Sequence, residues 1–170
     1  MPDRFRRHFL KSKEAKILLQ EASEKLQTDL NSFFKERADI EVIETEAAEI
    51  ILVNQRPIMI RTSDGVYPTL KFEEYLRLAP KVIVDMGAVP YVCKGAHVMA
   101  PGVRRVEGTF KSNSIVAIVD EKFGKPIALG EILFASEEAT KLKQGKIVKN
   151  LFHVGDKTWN ILKELSSDDH

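Results

Sequence analysis

Val82-Ile83-Val84, Asp85-Met86-Gly87-Ala88, Val89-Pro90-Tyr91-Val92-Cys93-Lys94 and Gly95-Ala96-His97-Val98-Met99-Ala100-Pro101-Gly102-Val103 follow one another without a break. Three β-branched apolar residues open the stretch, and glycines and prolines punctuate the rest, so the backbone turns sharply at points where a Cβ is strained. This predicts a strand, a short helix and a glycine loop folded tightly together. In Lys94-Gly95-Ala96 a cation stands beside a residue with no side chain, which lets another backbone approach while the ammonium supplies charge. That combination suits a phosphate, although the same glycines also serve a chain that only turns here.

Outward from this stretch, glycine usage marks a boundary. Only Gly65 precedes Val82 and the other eight glycines follow it. A helix-bearing α+β unit followed by a small turn-rich barrel produces this distribution, with the join at Pro80. We therefore expect two domains, residues 1–80 and 81–170. At 170 residues with 44% hydrophobic content, either can bury a core. A formal net charge of +1 gives no global attraction to nucleic acid, so any such binding must come from local patches. The single cysteine, Cys93, excludes an internal disulfide framework, argues against a four-cysteine zinc site within one chain, and points to an intracellular address. The opening Met1-Pro2-Asp3-Arg4 lacks the apolar core of a signal peptide. No apolar run approaches the ~20 residues needed to span a bilayer, so no membrane association is expected.

In the first part, Arg4 to Leu10 reads as a strand anchored by Phe5, Phe9 and Leu10. Ser12 reads as a helix N-cap. Ala15, Leu18, Leu19, Ala22, Leu26, Leu30, Phe33 and Phe34 continue an apolar stripe from Lys13 to about Lys35, as one long helix or as two kinked near Thr28-Asp29. Ile40 to Thr45, Glu49 to Val53 and Pro57 to Arg61, bounded by Ser63-Asp64-Gly65, read as an antiparallel meander under that helix. The acids Glu36, Asp39, Glu41, Glu44, Glu46 and Glu49 crowd its first half, as a solvated face or as a docking edge for a basic partner. Phe72 to Ala79 reads as a short helix.

In the second part, Ile115 to Val119 and Ile127 to Phe134 flank Lys122-Phe123-Gly124-Lys125 as a buried hairpin. Ser136 reads as the cap of a short helix that Gly145 ends, and Ile147 to Val154 as a last strand. Asp156 caps a terminal helix expected to carry Trp159 and Leu162 back onto the barrel.

Four separated pieces carry a family resemblance: Asp85-x-Gly87-Ala88; Val92-x-Lys94-Gly95-Ala96-x-Val98-Met99-x-Pro101-Gly102-Val103; Ala128-Leu129-Gly130; and His153-x-Gly155-Asp156-x-x-Trp159. In order and spacing they resemble the PUA domain, named for pseudouridine synthases and archaeosine transglycosylases. Tyr67-Pro68-Thr69-Leu70 and its surroundings resemble the pre-PUA domain of the family of the translation protein amplified in malignant T cells and its archaeal relatives. The resemblance implies an α+β N-terminal domain, one helix or two on a small antiparallel sheet, followed by a small mixed β-barrel PUA domain with short helices. It also implies a cytoplasmic RNA-binding role in translation or RNA metabolism, with tRNA or ribosomal RNA, and with the small ribosomal subunit or a translation-factor protein, as partners. Eukaryotic members of that family pair with a density-regulated protein.

Cations gather on two segments of the second part, Lys94, Arg104, Arg105 and Lys111 around the glycine loop, and Lys141, Lys143, Lys146 and Lys149 with no acid between them. If the barrel brings the loop beside the last strand, as the resemblance implies, they form one phosphate-tracking groove. Backbone amides of Gly95 or Ala96 are candidate donors, and Tyr91 and His97 are rings available for stacking on an unpaired base. The candidate RNA-binding residues are therefore Lys94, Gly95, Ala96, His97, Met99, Arg104, Arg105, Lys146 and Lys149; Lys94, Gly95, Ala96, Met99 and Lys149 are favoured by the resemblance. No phosphate-loop, zinc-protease or serine-elbow signature is present, and His8, His97, His153 and His170 lie far apart without cysteine neighbours, so neither catalysis nor a metal nor a cofactor is expected. Asp85 follows a strand, where its expected work is to hold turn amides. A protein-docking adaptor, and an accessory subunit of an RNA-modification enzyme, are the alternatives.

Overall fold

The computed structural model describes residues 5–34, 38–46 and 48–167; Arg4, Lys35, Glu36 and the tail from residue 168 lie outside them. The chain divides into two compact units, Met1–Glu74 with Leu162–His170, and Tyr75–Ile161.

The first unit is a five-stranded antiparallel sheet in the order β1 (Arg6–Phe9), β2 (Ile40–Glu44), β3 (Glu49–Val53), β4 (Arg56–Thr62), β5 (Gly65–Pro68). Helix α1 (Ser12–Leu26) buries Leu18, Leu19, Ala22 and Leu26. It stops where Gln27 takes a left-handed φ of 54°, and a 3-10 turn, Leu30–Phe33, follows with Asp29 accepting from the Asn31 amide. The apolar stripe therefore breaks near Thr28-Asp29, because the left-handed Gln27 ends the i to i−4 ladder. Ser12 is the first helical residue rather than the cap: Lys11 occupies that position, and its amide donates to Glu14. Phe9 is exposed at 65% and does not anchor β1. Strand β5, which the turn signal at Ser63-Asp64-Gly65 concealed, buries Val66 and Tyr67. Just beyond it, buried Thr69 ties Tyr67-Pro68-Thr69-Leu70 to β4: its hydroxyl donates to the Pro57 carbonyl at 2.8 Å and accepts from the Lys71 amide.

Cross-strand register disposes of the acidic edge. Arg7 grips Glu41 through two 3.0 Å bonds, Arg61 stands opposite Glu49 and bonds it at 2.8 Å, and Arg6 faces Glu44 at 4.0 Å. Three of these acids are thus met by arginines of the same sheet. A reading based on acids alone missed these partners because they lie 12 to 38 residues away in sequence.

The second unit is a six-stranded mixed sheet in the order β7 (Val98–Met99), β11 (Lys146–His153), β10 (Pro126–Ile132), β9 (Ile115–Asp120), β6 (Lys81–Val84), β8 (Val103–Glu107). Its two edge strands, β7 and β8, are joined only by the 3-10 turn Ala100–Gly102. Six flat strands place their edges about 24 Å apart, whereas the four steps from Met99 to Val103 reach at most about 14 Å. The sheet must therefore curl toward a barrel. Val84, Val98, Val116, Ile118, Ile132 and Val148 fill its interior. Among the described residues the remaining helices are the short α2 (Glu73–Leu78), α3 (Val89–Val92) and α4 (Ser136–Ala139) and the terminal α5 (Lys157–Ser167). Ser136 does not cap α4; Ala135 does, and the Ser136 hydroxyl bonds the Phe110 amide and carbonyl. Asp156 does cap α5, accepting from the Trp159 amide at 2.7 Å. Leu162, expected on the barrel, falls in the first unit.

The β9–β10 hairpin closes on the buried Asp120, whose carboxylate accepts from the amides of Lys122, Phe123 and Lys125. Burial pushes this carboxyl up, but the amides of Phe123, Lys125, Lys122 and Gly124 together outweigh it and hold the acid below the usual carboxylate range. A depressed folded value contributes stability above the unfolded value of about 3.9, lost as pH falls through the folded one. Thermal melts from pH 7 to 3 should show an acid-side loss that Asp120→Asn lacks, with the variant less stable at pH 7. Equal melting of the two proteins at pH 7 refutes this role.

Candidate nucleic-acid interface

The glycine loop is built from its strand outward. Asp85 directly follows β6, and its Oδ1 accepts from the Ala88 amide at 2.8 Å, as its position ahead of Gly87 predicts. The Asp85 amide donates to the Gly102 carbonyl at 2.9 Å, and the Met86 amide donates to Glu121 Oε2 at 2.8 Å. Pro90 sits in the first turn of α3, where its missing N–H costs nothing. Val92 from this helix is buried in the barrel core, with Ala88, Val89 and Cys93 packed beside it. Burial pushes the Cys93 thiol up, which keeps it protonated and a poor nucleophile.

The loop then folds on itself. The Gly95 amide donates to Val92 and the Ala96 amide to Tyr91, each at 3.0 Å. A backbone N–H has one proton to give, so these two amides are already engaged, contrary to the expectation that they are free for a phosphate or a base edge. Gly95 has φ +98°, and a Cβ built on it comes 3.4 Å from His153 Nε2. Its role is to let the loop turn in a left-handed conformation beside that ring.

Strand pairing brings the loop to the basic strand. In register, Val98 lies opposite Val148 and Met99 opposite Lys146. Asn150, two residues beyond Val148, clamps the loop: its side-chain amide donates to the Val92 carbonyl at 3.0 Å and the Ala96 carbonyl at 2.9 Å, and its backbone amide donates to His97 Nδ1 at 3.0 Å. Because Nδ1 accepts, the ring proton of neutral His97 resides on Nε2. Lys94, Ala96, His97, Lys146 and Lys149 are exposed, as are Met99 at 50% and Tyr91 at 66%. No ion pair engages Lys94, Lys146 or Lys149 among the described residues.

Arg104 and Arg105 are placed differently. Both lie on β8, at the far end of the sheet order from β7. Arg104, the extra residue of a bulge opposite Ile83 and Val84, meets Glu121 at 3.4 Å, and Arg105 meets Glu107 at 2.8 Å. Their charge is locally balanced, which separates them from the unpaired lysines. Asn150 and Glu121 were missed from sequence because an amide within a strand and an acid at a hairpin carry no periodic signal. Among the described residues no group of three or more His, Cys, Asp or Glu side chains is placed to hold a metal ion. No described helix is long and apolar enough to cross a membrane.

Two families tile the chain: a domain of unknown function, DUF1947, matches residues 6–75, and the PUA domain matches residues 80–154. An uncharacterized protein of Methanocaldococcus jannaschii is 37% identical over 158 residues, covering 91% of this chain and 96% of the relative. Translation machinery-associated protein 20 of Saccharomyces cerevisiae is 26% identical over 148 residues, covering 82% of each chain. A crystal structure of a PUA domain from Aeropyrum pernix, in a tartrate complex, superposes with a TM-score of 0.83 at 30% identity, over 95% of this chain and 93% of that one. The chain belongs to the family of PUA-domain proteins in which a DUF1947 domain precedes the PUA domain.

Proposed function

We propose that this protein binds RNA through the strip of its PUA domain formed by Lys94, Gly95, Ala96, His97 and Met99 with Lys146 and Lys149 of β11, and that it does so in translation, on tRNA or ribosomal RNA. The observation that carries the reading is the β7–β11 pairing, reinforced by the Asn150 clamp, which joins a glycine loop bearing an unpaired lysine to a strand bearing two more. Lysine ammoniums at the loop and strand supply phosphate contacts, and Tyr91 and His97 supply exposed ring faces for unpaired bases. Arg104 and Arg105 are weaker members, since each must leave a carboxylate to engage a phosphate. The protein acts as a binding module of the cytoplasm rather than as an enzyme, with a translation-factor or ribosomal partner. The translation-associated yeast relative supports this setting.

Neutralising Lys94 or Lys149 should weaken binding to tRNA and ribosomal RNA alike and reduce the salt slope by roughly 0.7 to 0.9 log units per contact. Lys13→Ala on α1 is the control and should be nearly silent. Binding curves at several salt concentrations decide the matter. Lysine variants that bind like the parent protein, together with loss of a protein contact on charge reversal at Glu41 and Glu44, would favour a docking adaptor; the arginines balancing those acids speak against it.

A further inference from the structure

The tip of the β9–β10 hairpin presents an aromatic ring to solvent in a way that packing does not require. Phe123 is 66% exposed, and Lys122 and Lys125 beside it are exposed. The Lys122 ammonium lies 5.2 Å from the ring centroid. Met86, 39% exposed, lies in the turn that the hairpin holds through Glu121, and Arg104 reaches the same carboxylate. The tip is rigid despite its exposure. Buried Asp120 binds three of its amides, Gly124 turns at φ +68°, and the Glu121 amide donates to the Val84 carbonyl at 3.0 Å. A lone exposed phenylalanine is ordinary, but here it stands on a fixed platform beside Lys122, Lys125 and Arg104; of the two acids there, buried Asp120 is engaged by the turn amides and Glu121 by the Met86 amide and Arg104, which leaves the two lysines to carry the charge offered to a ligand.

We infer that the Phe123 tip is a second RNA contact, on which an unpaired base stacks while Lys122 and Lys125 meet the flanking phosphates. Charge selects the occupant: a ring among cations fits a polyanion with π-faces, and stacking on a preorganised ring loses little conformational freedom. Strand pairing places this tip on the same side as the glycine loop. Gly95 lies against His153, His153 pairs with Ala128, and the Val154 amide donates to the Ile127 carbonyl, two residues after Lys125. One RNA can therefore run from the lysines of the loop to the hairpin, its unpaired segment ending at the ring.

This inference rests on the RNA-binding reading above, and the test separates the two. An RNA stem-loop with an unpaired tail and the same stem-loop without it are titrated into the full chain and into Phe123→Ala, Phe123→Leu and Phe123→Trp. Phe123→Ala should lose affinity for the tailed RNA on the order of 10-fold and leave the blunt RNA nearly unchanged. Phe123→Leu, apolar but without a π-face, should behave like alanine. Phe123→Trp should bind at least as well as the parent, with its indole emission quenched by the tailed RNA beyond any change in Trp159. The side chain is exposed and its amide survives substitution, so the variants fold. Equal binding of both RNAs by the parent protein and Phe123→Ala overturns the second contact and leaves the RNA-binding reading standing. Failure of the parent protein to bind either RNA overturns both.

Discussion

Replacing Gly130 with alanine should destabilise the second unit by about 3 kcal/mol or more, at the upper end for an overpacked core, lowering the melting temperature by roughly 6 to 12 °C in a chain of this size. A Cβ at this position meets Val148 Cγ1 at 2.4 Å and the Lys149 carbonyl oxygen at 2.6 Å, with Ile118 Cδ1 at 3.3 Å. The valine methyl can rotate away only into the packed interior, and the carbonyl cannot move without breaking the ladder between β10 and β11. Gly130 lies beside a bulge, Leu129 pairing with Phe152 and Gly130 with Asn150, so β11 carries one extra residue there and crosses close to β10. The glycine thus fixes the height of the strand that bears Lys149 and Asn150. Gly124→Ala is the matched control: its neighbourhood is open, and only the left-handed φ of 68° costs it, about 1 kcal/mol. A Gly130→Ala melt no lower than that of Gly124→Ala refutes the close-approach argument.

Gly130 also shows how far the sequence can be read. Ala128-Leu129-Gly130 is recognisable as a family piece, yet nothing in those letters says that the missing side chain makes room for the backbone of a strand 20 residues later. The hairpin itself was legible because the runs from Ile115 and Ile127 are buried along nearly their whole length and flank a lysine-glycine turn. The glycine loop was legible because its punctuation is dense. Strand β5 was not, since Ser63-Asp64-Gly65 reads as the end of a meander, whereas it is a turn into one more strand. Charge was the least legible property. Glu41 and Glu49 read as an acidic edge until cross-strand register supplied each with an arginine, and Arg104 and Arg105 as part of a basic groove until the fold set Glu121 of the hairpin beside the first and Glu107 of the same strand beside the second. Exposed pairs of this kind add little stability, about 0 to 1 kcal/mol. They nonetheless decide which charges remain for a ligand, and that leaves Lys94, Lys146 and Lys149 as the ones to mutate first.

Asn150→Ala should weaken RNA binding on the order of 10-fold at unchanged charge, because it frees the glycine loop from the strand beside it. The two carbonyls that its side chain now satisfies, Val92 and Ala96, lose their donor, while the backbone bond to His97 remains. Lys94 and the two lysines of β11 keep their charges but no longer share a fixed frame, so the salt slope should stay close to that of the parent protein, unlike that of the lysine variants. Asn150→Asp is the harsher change. It sets a carboxylate oxygen against two carbonyl oxygens at the positions now 3.0 and 2.9 Å from the amide nitrogen, which favours the protonated acid. With its folded value raised, the stability of this variant is fully present below the unfolded value of about 3.9 and lost as pH rises through the folded one. Melts compared with Asn150→Ala, which shares the acid response of Asp120, isolate that term: Asn150→Asp should approach or exceed the alanine variant at low pH and fall below it at neutral pH. Parallel melting curves across that range, or RNA binding by Asn150→Ala equal to that of the parent protein, would remove the clamp from the account of how this loop is held for its ligand.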